Sequence, residues 1–231
     1  MPAPADAARF PGRSGTFYAR FGKRAFDIVF SLCALVVLSP LLLVLVVFVA
    51  ATSESVFFGQ KRYGRGKRVF RMWKFETMTS ETPREVTTEE LKSEDVHFTR
   101  YGAFLRKYSL NELPQLANIL KGDMSVVGPR PAMMVEQELL RLRDENGSNV
   151  LRPGLTGWAQ VNGRDSLNVQ EKAAFDGSYL QRLSLALDLK CILMTFSRVA
   201  TAEGVAEEGK GDVSAVASET LVEDMDQGDC A

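Results

Sequence analysis

The sequence has few of the residues that build metal cages, disulfide frameworks and hydrolytic triads. It contains one histidine, His97, and three cysteines, at positions 33, 191 and 230. A single histidine excludes a histidine-rich metal cage and argues against a Ser-His-Asp triad. The cysteines form neither a C-x-x-C pair nor an even set, which excludes a disulfide scaffold or a zinc ribbon. The chemistry of this chain must therefore use carboxylates, cations and any metal that they bind.

Excess charge of either sign is also absent, because 28 Lys and Arg residues balance 29 Asp and Glu residues. This balance argues against a nucleic-acid partner, and the length of 231 residues suggests one domain with appended segments. The distribution of residues predicts four parts. They are a basic N-terminal segment at 1–24, a membrane segment at 25–54, a mostly helical α/β domain with a small sheet at 55–202, and a disordered acidic tail at 203–231.

The membrane segment contains an uncharged apolar run at residues 28–51. One straight helix of that length would measure about 36 Å, more than the roughly 30 Å of bilayer hydrocarbon. Ser39 and Pro40 interrupt the run in its middle, where proline removes a backbone donor and favours a kink. Each half would then be about 16 Å long and too short to span alone.

Both flanks of the apolar run are basic. Five cations precede it, and seven lie between Ser55 and Phe75 with no acidic residue among them. Because cations accumulate on the cytoplasmic side of a membrane, two basic flanks favour a re-entrant helix hairpin with both ends on that side. A kinked single span is the alternative.

The remaining pattern predicts strands at 56–60 and 68–75. Short helices are predicted at 100–107, 113–120, 134–146, 168–182 and 185–201. The polar stretch at 82–95 is expected to be a surface helix or loop, and the glycine-rich stretch at 152–165 a loop or hairpin. The last helix could pack on the core or lie in the lipid interface, and core packing is the expectation.

The stretch SLNELPQLANILKGDMSVVGPRP carries the first candidate chemistry. Pro114 fits the first turn of a helix, which would place Asn111 and Glu112 at an N-terminus that favours anions. The alternative for Glu112 is a capping box with Ser109, which would leave Pro114 deeper in the helix. Arg130, flanked by two prolines, suits rigid bidentate recognition of phosphate, with a structural salt bridge as the alternative. Asp176 alone would more often be a solvated surface acid.

The order of five blocks makes the chain resemble the bacterial monotopic phosphoglycosyl transferases over about residues 23–201. The blocks are KRAFD with the following hydrophobic run, VFFGQKRYGRGKRVFRMWKFETM, SLNELPQLANILKGDMSVVGPRP, RPGLTGWAQVNGR and FDGSYLQRLSLALDLK. The resemblance implies a re-entrant membrane helix broken at Ser39-Pro40. It also implies that a phospho-sugar passes from a UDP-sugar to polyprenyl phosphate, with release of UMP and with Mg²⁺ as cofactor. The expected location is the cytoplasmic face of the bacterial inner membrane, where the reaction would begin exopolysaccharide or glycoconjugate assembly. The sugar is not specified, and homo-oligomerisation remains open.

The resemblance also implies roles for particular residues. Glu112 matches a glutamate that helps to hold magnesium, and Lys74, Arg130, Arg164 and Asp176 keep the residue types of the family's substrate site.

Two positions depart from the pattern. Glu76 replaces an arginine, and Asn111 replaces the aspartate that attacks phosphorus. A neutral amide is not a competent nucleophile toward a phosphoester. Four explanations follow for Asn111: an engineered or trapped variant, direct transfer without an intermediate, Glu112 as nucleophile, or a catalytically silent homologue that binds lipid-linked intermediates or organises a glycan-assembly complex.

Overall fold

The computed structural model describes residues 17–79, 99, 101–163 and 166–201. The helices are α1 (Lys23–Ala50), α2 (Gly102–Lys107), α3 (Gln115–Lys121), α4 (Gln137–Glu145), α5 (Trp158–Asn162), α6 (Val169–Arg182) and α7 (Leu185–Thr201). The strands are β1 (Phe57–Tyr63), β2 (Val69–Phe75), β3 (Ser125–Val127) and β4 (Gly154–Thr156). The predicted mostly helical fold is therefore confirmed. The stretch at 82–95, Arg164 and the tail at 203–231 lie outside the described residues.

The strands form two separate sheets rather than one. β1 and β2 are an antiparallel hairpin, as the sequence predicted, whereas β3 and β4 pair in parallel. The second sheet could not be predicted because each of its strands has only three residues, too few to show an alternation. The stretch predicted as a glycine-rich loop or hairpin contains β4 and the short helix α5.

α1 is one uninterrupted helix, where the sequence predicted two half-helices. Pro40 has no N–H to donate to the carbonyl of Val36, four residues earlier. The hydroxyl of Ser39 donates to that same carbonyl oxygen at 2.8 Å, so the acceptor that proline leaves free is satisfied. With the preceding turn of π-helix, residues Tyr18–Ala50 form a run that is long and apolar enough to cross a membrane.

The N-terminal half of α1 is attached to the domain through polar groups. Arg24 donates to the carbonyls of Ile119 and Leu120 at the end of α3. The fully buried carboxylate of Asp27 accepts from the hydroxyl of Ser125 and from the backbone N–H of Val126, both at 2.9 Å. These bonds attach the start of α1 to strand β3.

The C-terminal half of α1 is attached to the same domain through apolar groups. Leu45 and Val49 are buried in one cluster with Phe75 of β2 and Leu105 of α2. The opposite face of α1 is apolar and exposed along its length, at Val29, Leu32, Val36, Val37, Leu43, Val44 and Val47. Both ends of the long helix therefore contact one domain, and the apolar surface between them faces outward.

α7 packs on the core through Cys191 and Ile192. Most of the apolar stripe that was expected to pack there is instead exposed on the other face, at Leu185, Leu189, Leu193 and Phe196. The helix is thus apolar on two sides, which explains why its pattern allowed both packing on the core and contact with lipid.

Candidate active site

The β1–β2 hairpin places two cations on one face. Phe58 lies opposite Lys74 and Arg62 lies opposite Phe70 in the register. Because alternate residues of a strand share a face, Arg62 and Lys74 project to the same side of the hairpin. Arg62 is buried, and Lys74 is mostly buried. The hairpin thus carries two positive charges inward, against the helical part of the domain.

Glu112 meets these cations from a single turn of 3-10 helix, Leu110–Glu112. Its Oε1 lies 3.2 Å from Nζ of Lys74, and both side chains are partly buried. Ser109, which precedes this turn, has a left-handed backbone (φ 54°) that non-glycine residues seldom adopt. The chain reverses sharply there and so presents Glu112 to the hairpin.

Asn111 lies beside Glu112 and is 7% exposed. Its side chain makes no hydrogen bond within the part of the chain that the structure describes. The expected position at a helix N-terminus is wrong in detail, because α3 begins at Gln115 and Pro114 is its N-cap. The alternative capping box is not formed, since Ser109 makes no side-chain cap and only its carbonyl accepts from Glu112 N–H. The pair instead belongs to a separate turn before the helix.

Positive charge exceeds negative charge around Glu112. Burial lowers the pKa of Lys74 from 10.5 to about 8, an effect that Glu112 opposes and that the charges of Arg130, Arg62 and Arg106 reinforce. Burial and the neighbouring charge of Arg130 likewise lower the pKa of Arg62 to about 10, an effect that Glu136 and Glu112 oppose. Buried cations that lie near one another are stabilised by an added anion. The arrangement suits a diphosphate.

Arg130 is the least restrained of these cations. Its guanidinium is partly exposed and makes no hydrogen bond or ion pair within the described ranges, whereas its backbone lies between the buried residues Pro129 and Pro131. The salt bridge considered from sequence is not formed among these residues. A rigid backbone with an available planar fork fits bidentate contact with phosphate oxygens.

Asp176 lies away from solvent. It is 1% exposed, and its Oδ2 accepts from Nε of Arg143 at 2.8 Å and contacts Nη2 at 2.7 Å. Burial raises the pKa of the Asp176 carboxyl, and the charge of Arg143 opposes that shift. The expectation of a solvated surface acid is therefore wrong. The Asp176 carboxylate is occupied by its two contacts with Arg143. The contact with substrate that the resemblance implies stays a prediction.

A sequence profile of the family described as bacterial sugar transferase matches residues 18–202. The chain belongs to the bacterial sugar transferase family. It is 37% identical over 204 residues to the uncharacterized sugar transferase EpsL of Bacillus subtilis (strain 168), an alignment that covers 83% of this chain and 98% of that protein. It is 40% identical over 200 residues to the exopolysaccharide production protein ExoY of Rhizobium meliloti (strain 1021), covering 79% and 87% of the two chains.

Longer sugar transferases match over part of their length. The chain is 38% identical over 184 residues to the UDP-glucose:undecaprenyl-phosphate glucose-1-phosphate transferase of Escherichia coli (strain K12). That alignment covers 76% of this chain and 39% of the relative.

Glu112 and Asn111 of this sugar transferase carry oxygen atoms of the type that Mg²⁺ prefers. No group of three or more His, Cys, Asp or Glu side chains that could hold a metal ion occurs among the described residues. Mg²⁺, however, commonly binds through one or two carboxylates together with substrate phosphates. The carboxylate of Glu112 and the amide of the adjacent residue Asn111 would supply two oxygens of such a set, and a bound diphosphate would supply others.

Two site arginines of this sugar transferase were missed from sequence, Arg62 and Arg143. Arg143 follows Leu139 and Leu140 at helical spacings of four and three, so its position on the buried face of α4 was readable. Arg62 lies between Lys61 and Tyr63 in β1, where no apolar alternation marks a buried face, and its place on the same face as Lys74 depends on the hairpin register. A cation on a buried face was thus a readable signal for Arg143 only.

Proposed function

We propose that the chain transfers a sugar 1-phosphate from a UDP-sugar to polyprenyl phosphate and releases UMP, as the first step of polysaccharide or glycoconjugate assembly. Membership of the family and the printed activities of the longer relatives support this function. The observation that carries it is the group of neighbouring cations, Lys74, Arg62 and Arg130, around the carboxylate of Glu112. Such a site gains stability when a diphosphate binds.

The reaction breaks the bond between the phosphorus of the sugar phosphate and the oxygen of the leaving UMP. An oxygen of polyprenyl phosphate finally bonds to that phosphorus, so the sugar phosphate is transferred to the lipid. Catalysis of such transfers is mostly positioning and charge neutralisation. Protonated Lys74 and the fork of Arg130 bind the diphosphate oxygens and stabilise the charge that develops on the departing UMP. Glu112, with Asn111, would hold a magnesium ion, which would supply further neutralisation of the diphosphate.

The nucleophile is the unresolved part of this chemistry. The family resemblance implies attack by an aspartate at position 111, and Asn111 has no anionic oxygen. This observation favours a second candidate function, a catalytically silent homologue that binds lipid-linked intermediates or organises a glycan-assembly complex. Direct attack by the lipid phosphate and attack by Glu112 are the other routes to an active protein.

UMP release by the purified protein in nanodiscs, with polyprenyl phosphate and a panel of UDP-sugars, separates these candidates. We expect Asn111→Asp to raise the rate at least about a hundredfold and to form a phospho-sugar adduct on the new aspartate, visible by intact mass. Asn168→Asp is the matched control, because it adds the same charge at the N-cap of α6, where aspartate serves as well as asparagine. Turnover in the unmodified protein without an adduct would indicate direct transfer, and an adduct on Glu112 would make that residue the nucleophile. Binding without turnover in both proteins would establish the silent homologue.

The attachment of α1 supports one arrangement in the membrane. We propose a monotopic protein whose apolar helix enters and leaves the bilayer on the cytoplasmic face of the bacterial inner membrane. Both ends of α1 contact the same domain, one through Asp27 and the other through Val49, and both flanks are basic. If α1 crossed the bilayer, the one domain that contacts both of its ends would have to occupy both faces of the membrane.

Single cysteines at the exposed positions 17 and 54 test this topology in a background in which Cys33, Cys191 and Cys230 are replaced by serine or alanine. Both should resist an impermeant thiol reagent in intact cells and react after lysis. Labelling at one position in intact cells would establish a spanning helix and overturn the re-entrant arrangement.

A further inference from the structure

Pro129, Arg130 and Pro131 form a loop, here called the PRP loop, whose backbone has more acceptors than donors. Its two prolines have no N–H, so its carbonyl groups must find donors elsewhere in the protein. The carbonyl of Pro129 accepts from Gly154 N–H at 2.8 Å, and the carbonyl of the following Ala132 accepts from Tyr63 N–H at 3.0 Å. Backbone from β4 and from β1 therefore holds the two ends of the segment.

Two buried guanidinium groups supply the donors in the middle. Nη1 of Arg143 donates to the carbonyl of Arg130 at 3.0 Å, and Nη1 of Arg62 donates to the carbonyl of Pro131 at 3.3 Å. Four consecutive carbonyls, from 129 to 132, are thus held by donors from different parts of the fold.

Each guanidinium is itself held by a partner. Asp176 on α6 accepts from Nε of Arg143 and contacts its Nη2, which leaves Nη1 directed at the loop. Gln60 accepts from Nε and Nη2 of Arg62 at 3.1 and 2.7 Å, which leaves Nη1 of Arg62 in the same role. The arginines differ in one respect, since Arg143 is compensated by a carboxylate and Arg62 by a neutral amide.

We propose that Asp176 and Arg143 are positioning residues, which act through the carbonyl of Arg130 to direct its guanidinium at the diphosphate of the substrate. The inference rests on the proposed function for the identity of that anion. It gives Asp176 a role without contact with substrate, in agreement with its burial. The Arg130 side chain, free of hydrogen bonds within the described residues, is then the group that meets the ligand. Rigid backbone support matters because bidentate contacts tolerate little displacement.

The first step of the test is a variant that removes the Arg143–Asp176 pair without unfolding the protein. Removing one partner of a buried pair leaves an uncompensated charge and destabilises a protein strongly, whereas replacing both by apolar residues of similar volume is often tolerated. The variant is therefore Arg143→Met combined with Asp176→Leu. Arg141→Gln is the matched control, because Arg141 lies on the same helix in exposed pairs with Glu138 and Glu145.

Hydrogen exchange on the ligand-free protein in nanodiscs measures the loop directly. The double variant should exchange faster over residues 128–133 than the unmodified protein, and Arg141→Gln should leave this segment unchanged. Unchanged exchange in a folded double variant would overturn the proposal.

Binding of UDP, the part shared by every UDP-sugar, measures the consequence. The double variant should bind UDP about tenfold more weakly, and the same change made in an Arg130→Met background should weaken binding no further. Additive losses in that background, or full affinity of the double variant, would show that the pair does not act through Arg130. Failure of the unmodified protein to bind UDP would instead overturn the proposed function, while the exchange measurement still judges the positioning role.

Discussion

Two lysine–carboxylate pairs in this protein have opposite surroundings. Asp188 is fully buried, and its Oδ2 accepts from Nζ of Lys23 at 2.8 Å and from the hydroxyl of Tyr18 at 2.5 Å. Its Oδ1 accepts from the hydroxyl of Tyr179 at 2.5 Å. One carboxylate thus has three donors, one of them charged, and the group attaches the start of α1 to the domain.

The second pair, Lys74 and Glu112, is longer at 3.2 Å and partly exposed, and further cations surround it. This difference shows that the two carboxylates have different roles. A carboxylate whose donors fully compensate it holds two elements together, and neither member is available to a ligand. A carboxylate outnumbered by cations leaves positive charge that an anion can neutralise.

The largest effect should come from opening the compensated pair. Asp188→Ala leaves the ammonium of Lys23 buried without its partner, so we expect the free energy of unfolding to fall by about 3–5 kcal/mol. Denaturant titration in detergent measures it. Glu112→Gln, at the other pair, should change stability by less than about 1 kcal/mol. Equal losses in the two variants would remove the distinction between the regions.

Arg130→Lys tests one of the cations around Glu112. Lysine keeps the charge but loses the planar fork, so kcat/KM for UMP release, or the affinity for UDP, should fall roughly tenfold to a hundredfold. The melting temperature should stay unchanged, because the guanidinium makes no hydrogen bond within the described residues. Full activity of the lysine variant would reduce Arg130 to a general cation.

The pKa of Lys74 predicts that the affinity for UDP depends on pH. Its pKa of about 8 in the folded protein means that the cation is lost as pH rises through that value, and UDP affinity should fall by up to about tenfold between pH 7 and 9. Titration calorimetry measures this loss, and Lys74→Arg should abolish it.

The stability of the protein depends on pH in the opposite direction to its affinity for UDP. A folded pKa below the unfolded value of 10.5 means that the unfolded chain binds more protons between about pH 8 and 10.5. The contribution of Lys74 to stability therefore rises with pH across that interval. Correspondingly, Lys74→Met should leave the protein at pH 7 equally stable or more stable.

The smallest effect concerns the backbone beside the site. Ser109 has a left-handed conformation that glycine adopts without steric penalty, so Ser109→Gly should change the free energy of unfolding by less than about 1 kcal/mol. Ser109→Val should destabilise the protein by about 1–2 kcal/mol, because a β-branched side chain fits that region poorly. Thermal unfolding of both variants measures the difference. Equal stability of the two would show that this turn holds no strain.

Local patterns were sufficient for much of the fold. The β1–β2 hairpin followed from two strand patterns around a turn-rich stretch, and the apolar run predicted α1. The pattern could not predict that α1 continues through Pro40, because both halves of the helix are held by contacts with residues that are distant in sequence. The short parallel sheet could not be predicted either, since its two strands are far apart in sequence and each has only three residues.

The candidate site divides in the same way. Lys74, Glu112 and Arg130 could be selected from sequence because their blocks resemble a family and their residue types suit a diphosphate. The contact between Lys74 and Glu112 joins residues 38 positions apart, and the contact between Arg143 and Asp176 joins residues 33 apart. Such pairs have no local signature, which is why Asp176 was interpreted as a surface acid.

The sequence by itself determined the apolar helix, the basic flanks, the order of the blocks and the amide at position 111, because each depends on residue identity along the chain. Only the tertiary structure decided which charges are compensated. In the folded protein Asp188 accepts hydrogen bonds from three donors, and Asp176 pairs with Arg143. Lys74, Arg62 and Arg130, in contrast, lie near the carboxylate of Glu112. Burial and distance set the energy of a charge, and both arise when distant segments pack together.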